Sequence, residues 1–259
     1  MLLKNKICSL LLLLFAAMPM FGRSYSTSFA SPPAPENPIS EAGNWINGQA
    51  NGTDWKNVAT TAGMAFGTQT GFDNFADSTA ILTGTWGADQ SAQAVLHIVQ
   101  QDSGVVAEES EIRLRSSLTT TPCSGQSTGG CATGYEINFS AVTGNNYVQI
   151  VRWNGPLGNF TMLASTQPAV HDGDTVKATI SGNTITAYIN GVQVLQTTDS
   201  TYNSTYCASH PCNPGMGFYL QNGSGTGTNS HFGFSSFQAS DGSTSSPPAP
   251  PTGLTAVPK

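Results

Sequence analysis

VKATISGNTITAYINGVQVL, residues 176 to 195, is the stretch of sequence that decides the fold. Apolar and polar residues alternate on both sides of Asn190-Gly191, a dipeptide that tolerates the positive φ angles of a tight hairpin turn. Ser181-Gly182-Asn183 supplies an earlier turn, so the stretch predicts a three-stranded antiparallel meander. Its apolar side consists of Val176, Ala178, Ile180, Ile185, Ala187 and Ile189. Isolated hairpins are marginally stable, so a second sheet must cover this side.

The same alternation recurs along the chain between Gly, Asn, Asp and Pro residues, and no apolar run has helical spacing. The predicted strands cover residues 78–83, 93–100, 110–116, 135–141, 147–153, 175–180, 184–189, 192–197, 217–221 and 231–239, with short pieces near Trp45 and Met64. These strands predict an all-β fold class, a two-sheet antiparallel sandwich.

The first 30 residues have the features of a secretory signal peptide. Lys4 and Lys6 precede an apolar run from Ile7 to Ala17, and a turn-prone stretch ends at Ala30, after which we expect cleavage. The apolar run is shorter than the ~20 residues that span a bilayer, and no later segment approaches that length. The mature protein is therefore predicted to be secreted, soluble and free of membrane insertion.

The charge of the chain argues against nucleic acid as a partner. The full chain has 9 basic and 15 acidic residues, and removal of residues 1–30 takes away three basic residues and no acid, which leaves a net charge of −9. A protein that binds phosphates needs clustered Lys and Arg, whereas those of this chain are scattered.

Proline-rich segments bracket the predicted domain. Residues 31–39 contain SPPAP and residues 242–259 contain SPPAPP, and both are predicted to be linkers. Between them, residues 40–241 form one domain, of a size at which β-sandwiches commonly stay single. Residues 250–258 resemble the opening strand of a fibronectin type III module, so we expect the protein to be part of a longer multidomain chain.

Four cysteines remain after the predicted cleavage, and in an exported chain an even number indicates disulfides. Three pairings are possible. We favour Cys123 with Cys131 and Cys207 with Cys212, because each pair brackets a loop that contains Gly, Ser or Pro. In the alternative, Cys207, His210 and Cys212 are metal ligands, which requires a fourth ligand and reduced thiols.

The segments GYEINF (134–139), YVQIVRW (147–153), GDTVK (173–177), GN (182–183), YING (188–191) and PGMGF (214–218) follow one another in this order. Together they resemble the concanavalin A-like lectin/glucanase superfamily, and especially the laminin G-like jelly rolls of bacterial exported proteins. The resemblance covers roughly residues 40–240. It implies a jelly roll with a convex and a concave sheet that holds glycans on the concave face. Members include lectins, glycanases, polysaccharide lyases and binding modules without activity.

Three predicted strands, around residues 112, 137 and 149, divide their side chains between two faces. The core side has Ile112, Leu114, Ile137, Phe139, Val148 and Ile150. The other side has Glu111, Arg113, Arg115, Glu136, Asn138, Tyr147, Gln149 and Trp153. Aromatic rings stack on sugars, and Arg, Asn and Gln orient hydroxyl or carboxylate groups. We therefore predict a groove for a polysaccharide or oligosaccharide, bound by Arg113, Arg115, Asn138, Gln149 and Trp153. The alternative is a solvated face with cross-strand ion pairs.

Glycoside hydrolysis would need two carboxyl groups that flank the sugar, about 5 Å apart for retention and ~6.5–9.5 Å apart for inversion. Glu111 and Glu136 are the candidates. The Glu-x-Asp-x-x-Glu pattern of laminarinase-like members is missing, and Glu108 and Glu109 are predicted to lie in a loop ahead of the strand. Hydrolysis is therefore an alternative to binding, not the leading prediction.

A polysaccharide lyase would need a base, commonly Tyr or His. Tyr147 and His97 are the candidates, and residues 96–100 and 110–115 loosely resemble two alginate lyase motifs in reversed order. The alternative for His97 is a strand histidine that is hydrogen-bonded within its sheet.

The resemblance also implies a structural calcium ion between the opening segment and the last strand, with Glu41 and Asp241 as oxygen ligands. No cofactor is required for glycan binding. Trp45, Trp55 and Trp86 are predicted to fill the core or sheet edges, whereas Trp153 ends a strand beside a loop.

The leading prediction is an exported, non-catalytic, lectin-like carbohydrate-binding module. The first alternative is a lyase or hydrolase that cleaves glycans in the same groove. The second is an adhesive or structural domain that binds protein.

Overall fold

The computed structural model describes residues 22–30, 35–70, 75, 77–123, 125, 127 and 129–242. Most of the expected signal segment (residues 1–21), the proline-rich residues 31–34 and the tail from residue 243 onward lie outside the described residues. No described helix is long and apolar enough to cross a membrane.

Within the described residues, fifteen strands form two antiparallel sheets. The eight-stranded sheet has the order β13 (Val192–Thr198), β12 (Thr184–Ile189), β11 (Thr175–Ser181), β6 (Gln90–Ile98), β15 (Phe232–Ser240), β4 (Met64–Gly67) and β3 (Val58–Thr61), and β1 (Ser24–Thr27) also pairs with β15. The seven-stranded sheet has the order β10 (Phe160–Thr166), β9 (Tyr147–Gly155), β8 (Cys131–Ser140), β7 (Val105–Thr119), β14 (Asn213–Asn222), β5 (Ser78–Leu82) and β2 (Trp45–Asn47). The one α-helix of the described residues is α1 (Ser204–Cys207), with 3-10 turns at Gln49–Asn51 and Asn229–His231.

The core lies between the two sheets, as the alternation predicts. The meander of residues 176–195 forms β11, β12 and β13 in the expected register, with Val176 opposite Ile189 and Ala178 opposite Ala187. Its apolar side packs against that of the other sheet. Ile112, Leu114, Ile137, Phe139, Val148 and Ile150 are fully buried there. The predicted sandwich and its core face are confirmed.

The sandwich begins earlier than residue 40, where the sequence placed the domain start. Ser24 pairs with Ser240 and Thr27 with Phe237 in the β1–β15 ladder, and Phe29 is buried in the core. Ile39, which was assigned to a linker, is also buried in that core. Cleavage after Ala30 would remove an edge strand and a core side chain.

Three features of the strands differ from the sequence-based expectation. The strand β10 was missed, although it forms a hairpin with β9 through the turn around Pro156. The strand β3 was also missed. The strand β7 begins at Val105, so Glu108 and Glu109 lie within it and not in a preceding loop.

Two disulfides join Cys123 to Cys131 and Cys207 to Cys212. The favoured pairing is therefore confirmed, and the metal-ligand alternative for Cys207 and Cys212 is excluded because neither sulfur is a free thiol.

Candidate functional site

The face of the seven-stranded sheet that points away from the core is termed the groove face. It is formed by alternate residues of β7, β8 and β9, which the ladders bring side by side: Glu111 opposite Asn138, Arg113 opposite Glu136, and Asn138 opposite Gln149. The predicted juxtaposition of these five residues is therefore present.

Arg113 lies at the centre of a buried group of carboxyl groups. Its Nη2 is 2.6 Å from Glu111 Oε2, 2.6 Å from Glu136 Oε2 and 3.2 Å from Asp77 Oδ2. All four side chains are at most 5% exposed. Buried charges persist only when they are paired, so this guanidinium holds the three acids together. We call these four residues the acid cluster.

The single positive charge of Arg113 cannot balance three ionised carboxyl groups. The surroundings of the cluster shift the pKa values of its members. Burial, reinforced by the nearby Glu136, raises the pKa values of Asp77 and Glu111 well above their usual range. Burial opposes the charge of Arg113, but the three carboxyl groups raise the pKa of Arg113 overall. The cluster therefore favours the protonated forms of Asp77 and Glu111 more than water does.

A glycine on β14 makes room for this cluster. Gly217 lies opposite Glu111. A Cβ atom at Gly217 would be 2.1 Å from Glu111 Oε2 and 2.7 Å from Arg113 Nε. The absence of a side chain at Gly217 thus leaves space for the ion pair between Glu111 and Arg113.

Glu109 is a further acid of the groove face, next to the cluster. It accepts hydrogen bonds from the Tyr147 hydroxyl and, at 3.2 Å, from Asn138 Nδ2. Burial and the neighbouring Glu136 raise the pKa of Glu109 to about 8. Its carboxyl group is therefore largely protonated at pH 7.

A cavity of about 190 Å³ opens above these residues. Its aromatic lining consists of Phe75, Tyr147, Trp153, Phe160 and Tyr219. Its polar lining consists of Asp77, Glu109, Glu136, Asn138, Gln149 and Gln221. The cavity is smaller than the ~300–1,000 Å³ of typical drug-sized ligand sites, so it suits one small unit such as a sugar ring.

The aromatic rings form a connected rim. The ring centroid of Phe75 is 5.2 Å from that of Phe160 and 6.0 Å from that of Tyr219, on which it stacks. Trp153 continues the rim at 5.6 Å from Phe160. Phe75 has a φ of 65°, a region that bulky residues rarely adopt, and its ring is 42% exposed. The rim gives the cavity an apolar wall on which a sugar face can pack.

Trp153 belongs to the wall of the cavity and not to an exposed binding surface. It is 3% exposed, and it packs with Trp55, Ile81 and Leu118 in a second hydrophobic cluster. Its Nε1 donates to Glu136 Oε2 at 2.6 Å. Trp153 was predicted to bind the sugar from a strand end beside a loop, whereas most of its side chain is buried in the wall.

Arg115 leaves the groove face, contrary to the prediction. The ladder shifts register between Leu114 and Ser117, and Arg115 has a φ of 48° at this irregularity. Its guanidinium donates to the carbonyl oxygens of Ala88, Tyr202 and Gly182 at 2.6–2.8 Å. A bulge reverses the alternation of side chains along a strand. Counting every second residue along the strand therefore assigned Arg115 to the wrong face.

The two candidate lyase bases are unsuited to that role. His97 lies on β6 of the other sheet, half-exposed, with its Nδ1 3.3 Å from Asp172 Oδ1. Tyr147 lines the cavity, but burial and the neighbouring Glu109 raise its pKa, and its hydroxyl donates to Glu109. A tyrosine held in its protonated form is a poor base.

The two expected calcium ligands are engaged by the protein. Glu41 accepts hydrogen bonds from Tyr25, Thr27 and Trp45, and Asp241 accepts from the backbone amides of Arg23 and Gly87. Among the described residues, neither belongs to a group of three side chains spaced to hold a metal ion.

One group of the described residues does have the spacing of a cation site. The ligand atoms of Asp77, Glu111 and Glu136 lie within 4.8 Å of one another. The Nη2 of Arg113 is within ion-pair distance of all three. The position that a metal ion would need is therefore taken by a cation of the protein itself.

Several residues of the site were not predicted from the sequence. Glu109 was assigned to a loop, and Asp77, Phe160, Tyr219 and Gln221 were not among the predicted site residues. The two-residue spacing from Glu109 through Glu111 to Arg113 was the signal that could have found Glu109. Nothing in the local sequence shows that Asp77 meets Arg113.

The two packed antiparallel sheets define a β-sandwich with a jelly-roll fold. No protein-family model matches the sequence, and no curated protein matches it. The carbohydrate recognition domain of Emp46p, in a potassium-bound form, matches 85% of this chain and 100% of its own, with 12% identity and a TM-score of 0.52. An endo-1,3-beta-glucanase from Streptomyces sioyaensis matches 87% and 98%, with 12% identity and a TM-score of 0.50. The chain thus has the fold that its sequence resemblance implied.

Proposed function

We propose that the protein binds a carbohydrate in the cavity of the groove face, as an exported lectin-like module. The observation on which this rests is the pairing of an aromatic rim with uncommitted amide groups in one small cavity. Gln149 and Gln221 are half-buried in its lining, and neither side-chain amide has a hydrogen-bond partner among the described residues. Sugars present both an apolar ring face and hydroxyl groups, which such a cavity complements.

The structural neighbours support the proposal at the level of the fold. One is a carbohydrate recognition domain and the other is a glucanase, so the same sandwich serves both binding and cleavage. A shared fold does not decide between these functions. The distinction has to come from the cavity.

The experiment that tests binding is a titration of the purified chain with a panel of neutral, acidic and amine-bearing oligosaccharides, followed by calorimetry and by assay for new reducing ends. Binding without new reducing ends is the expected result. Phe160→Ala should weaken the affinity about tenfold, since it removes one ring of the rim. Gln238→Ala, on the outer face of the other sheet, is the matched control and should leave the affinity unchanged.

A chain that binds no member of the panel would overturn the proposal. If such a chain still captured a protein ligand, the adhesive alternative would replace it. Folding of each variant is checked by circular dichroism, so that a loss of affinity is not confused with a loss of structure.

A second function has one specific observation in its favour, which is that two carboxyl groups in different environments line the same cavity. Glu109 is protonated at neutral pH because its pKa is about 8. Glu136 is paired with Arg113 and accepts a hydrogen bond from Trp153 Nε1. Two carboxyl groups in different environments are what glycoside hydrolysis uses. The Glu-x-Asp-x-x-Glu pattern is missing from the sequence, so hydrolysis remains the alternative.

Reducing ends that appear with the wild-type chain and vanish in Glu109→Gln would establish hydrolysis. Retention of sugar affinity in the same variant would show that its cavity is intact. Release of unsaturated products, by contrast, would indicate a lyase with a base other than His97 or Tyr147.

The proposal includes export of the protein from the cell. Two disulfides are typical of proteins that fold in an oxidising compartment. Cleavage upstream of Ser24, and not after Ala30, would keep β1 and Phe29 in the mature protein. Amino-terminal sequencing of the secreted protein would test this, and a first residue beyond Thr27 would contradict it. The proline-rich ends remain proposed linkers of a multidomain chain.

A further inference from the structure

The charged groups that reach the cavity are acidic in the described lining. Asp77, Glu109 and Glu136 line it, whereas Arg113 lies beneath them at 3% exposure and is not part of the lining. A ligand that enters therefore meets carboxyl groups first. An acidic sugar would face these groups without contact to the guanidinium.

Two buried polar atoms in the lining have no hydrogen-bond partner. Asn138 is 3% exposed, and its Nδ2 donates to Glu109 Oε2, but its Oδ1 has no partner in the part of the chain that the structure describes. The hydroxyl group of Tyr219, which is 4% exposed, also has no partner there and can either accept or donate. Buried polar atoms are normally paired, and the amide oxygen of Asn138 can only accept, so it indicates a ligand that donates a hydrogen bond.

The aromatic rim also favours a positively charged ligand. Tyr147, Phe160 and Tyr219 line the cavity together with Glu109 and Glu136. Aromatic faces attract cations, and the attraction grows when water is excluded. The carboxyl groups, the unpaired amide oxygen of Asn138 and the aromatic rings thus favour one chemical group, a cation with several N–H donors.

We propose that the cavity recognises a saccharide unit with a free, protonated amino group, such as a glucosamine residue. This inference rests on the proposed carbohydrate-binding function and names its ligand class. The ammonium group has three N–H donors for Glu109 and for Asn138 Oδ1, while the sugar ring packs against the rim. An N-acetyl group would replace the cation by a larger neutral amide, and a hydroxyl group would offer one donor and no charge.

The protonation state of Glu109 in the empty cavity is compatible with an amine-bearing ligand. Burial raises the pKa of Glu109 to about 8, so the empty site holds a proton where the ammonium group would bring a positive charge. Binding of the cation favours the ionised form of Glu109 and releases that proton. The groups that face Glu109 are Glu111 and Arg113 from its own strand, Glu136 and Asn138 from β8, Tyr147 from β9, Tyr219 from β14, and Asp77.

The test compares sugars that differ only in the substituent at carbon 2. The purified chain is titrated at pH 7 with glucosamine, glucose and N-acetylglucosamine and with their β-1,4-linked tetrasaccharides, and binding is followed by NMR shifts and calorimetry. The amine-bearing members should bind at least about tenfold more tightly than either neutral series. Equal or tighter binding of a neutral member would overturn the inference and leave the proposed function standing. If no sugar of this set or of the wider panel binds, both fall.

A variant separates the carboxyl group from the shape of the cavity. Glu109→Gln keeps the size and the hydrogen bonds of the side chain but removes its ability to ionise, so it should lower the preference for the amine about tenfold. The affinity for the neutral sugars should change little. Gln93→Ala, on the outer face of the eight-stranded sheet, should leave the preference as it is. A preference that survives Glu109→Gln in a folded protein would contradict the assigned role of Glu109.

Discussion

The outward faces of the two sheets look alike in sequence but differ in structure. On the eight-stranded sheet, Ser91 lies beside Thr179, and Gln93 lies beside Lys177, all partly exposed to water. On the seven-stranded sheet, the equivalent positions hold acids and an arginine that are almost completely buried. The difference teaches that alternation identifies an outward face, whereas neighbouring segments decide whether water reaches it.

Burial changes what the polar groups can do. The ammonium group of Lys177 lies over the ring of Tyr188 at 5.7 Å and stays near solvent. Arg113 has three carboxyl partners and little contact with water. Electrostatic interactions are stronger away from water, so groups on the groove face depend on one another more than those on the outer face.

The largest expected effect comes from removal of the central cation. Arg113→Met should lower the free energy of unfolding by about 3–5 kcal/mol, because it leaves buried acids without their partner. Lys177→Met, the matched change on the outer face, should lower it by less than about 1 kcal/mol. Urea denaturation of both variants at pH 7 measures the difference. Similar losses would show that the two faces do not differ in the way described.

The pH dependence of the free energy of unfolding is a second test of the difference between the outward faces of the two sheets. The pKa of Glu109 is about 8 in the folded protein, above the ~4.3 of an unfolded glutamate. The stability that this acid contributes is therefore complete below the unfolded value and is lost as the pH rises toward 8. The slope is at most about 1.4 kcal/mol per pH unit for one acid, and Asp77 and Glu111 act in the same direction.

Thermal melts between pH 5 and pH 8 check this dependence. Tm should fall as the pH rises, and Glu109→Gln should flatten the decline because glutamine does not titrate. A wild-type Tm that rises over this range would show that the acids of the groove face are ionised in the folded state.

The glycine that makes room for the cluster should tolerate no side chain. Gly217→Ala places a methyl group against Glu111 and Arg113, and overpacking of this kind costs about 1–3 kcal/mol. Ser91→Ala, on the outer face, should change the free energy of unfolding by no more than about 0.5 kcal/mol. Guanidinium denaturation compares the two. An alanine accommodated at Gly217 without loss would mean that the cluster can move aside.

The smallest expected effect concerns a single amide of the cavity. Gln149→Ala should weaken sugar binding about 2- to 10-fold, as expected for one lost hydrogen bond. Gln93→Ala should have no effect, since that amide faces water on the other sheet. Calorimetric titration with the best-binding sugar measures both, and equal effects would place the ligand outside the cavity.

Much of the fold could be predicted from the sequence, because its signals are local. The turns at Gly182 and Asn190-Gly191 and the alternation around them determine a meander, its register and its buried face. The short loops between cysteines likewise pointed to the disulfides that form. In the site, the same logic correctly grouped Glu111, Glu136 and Gln149.

Prediction failed where a residue's position depends on something outside its own strand. Arg115 was misplaced because a bulge after Leu114 reverses parity, and a bulge requires one residue more in one strand than in its partner. Trp153 was expected at an exposed edge, but the missed strand β10 and Trp55 cover it. Both errors concern contacts between segments that are separate along the chain.

The sequence by itself determined the two-sheet sandwich, the residues of its core and the sides on which the polar groups lie, since a period of two and the turn residues act over a few positions. Only the tertiary structure decided that Asp77 would join Arg113, that Phe75 would bridge Phe160 and Tyr219, and that the acids of the groove face would be buried. The physical reason is that burial and protonation depend on neighbours brought together by folding, which no local pattern specifies.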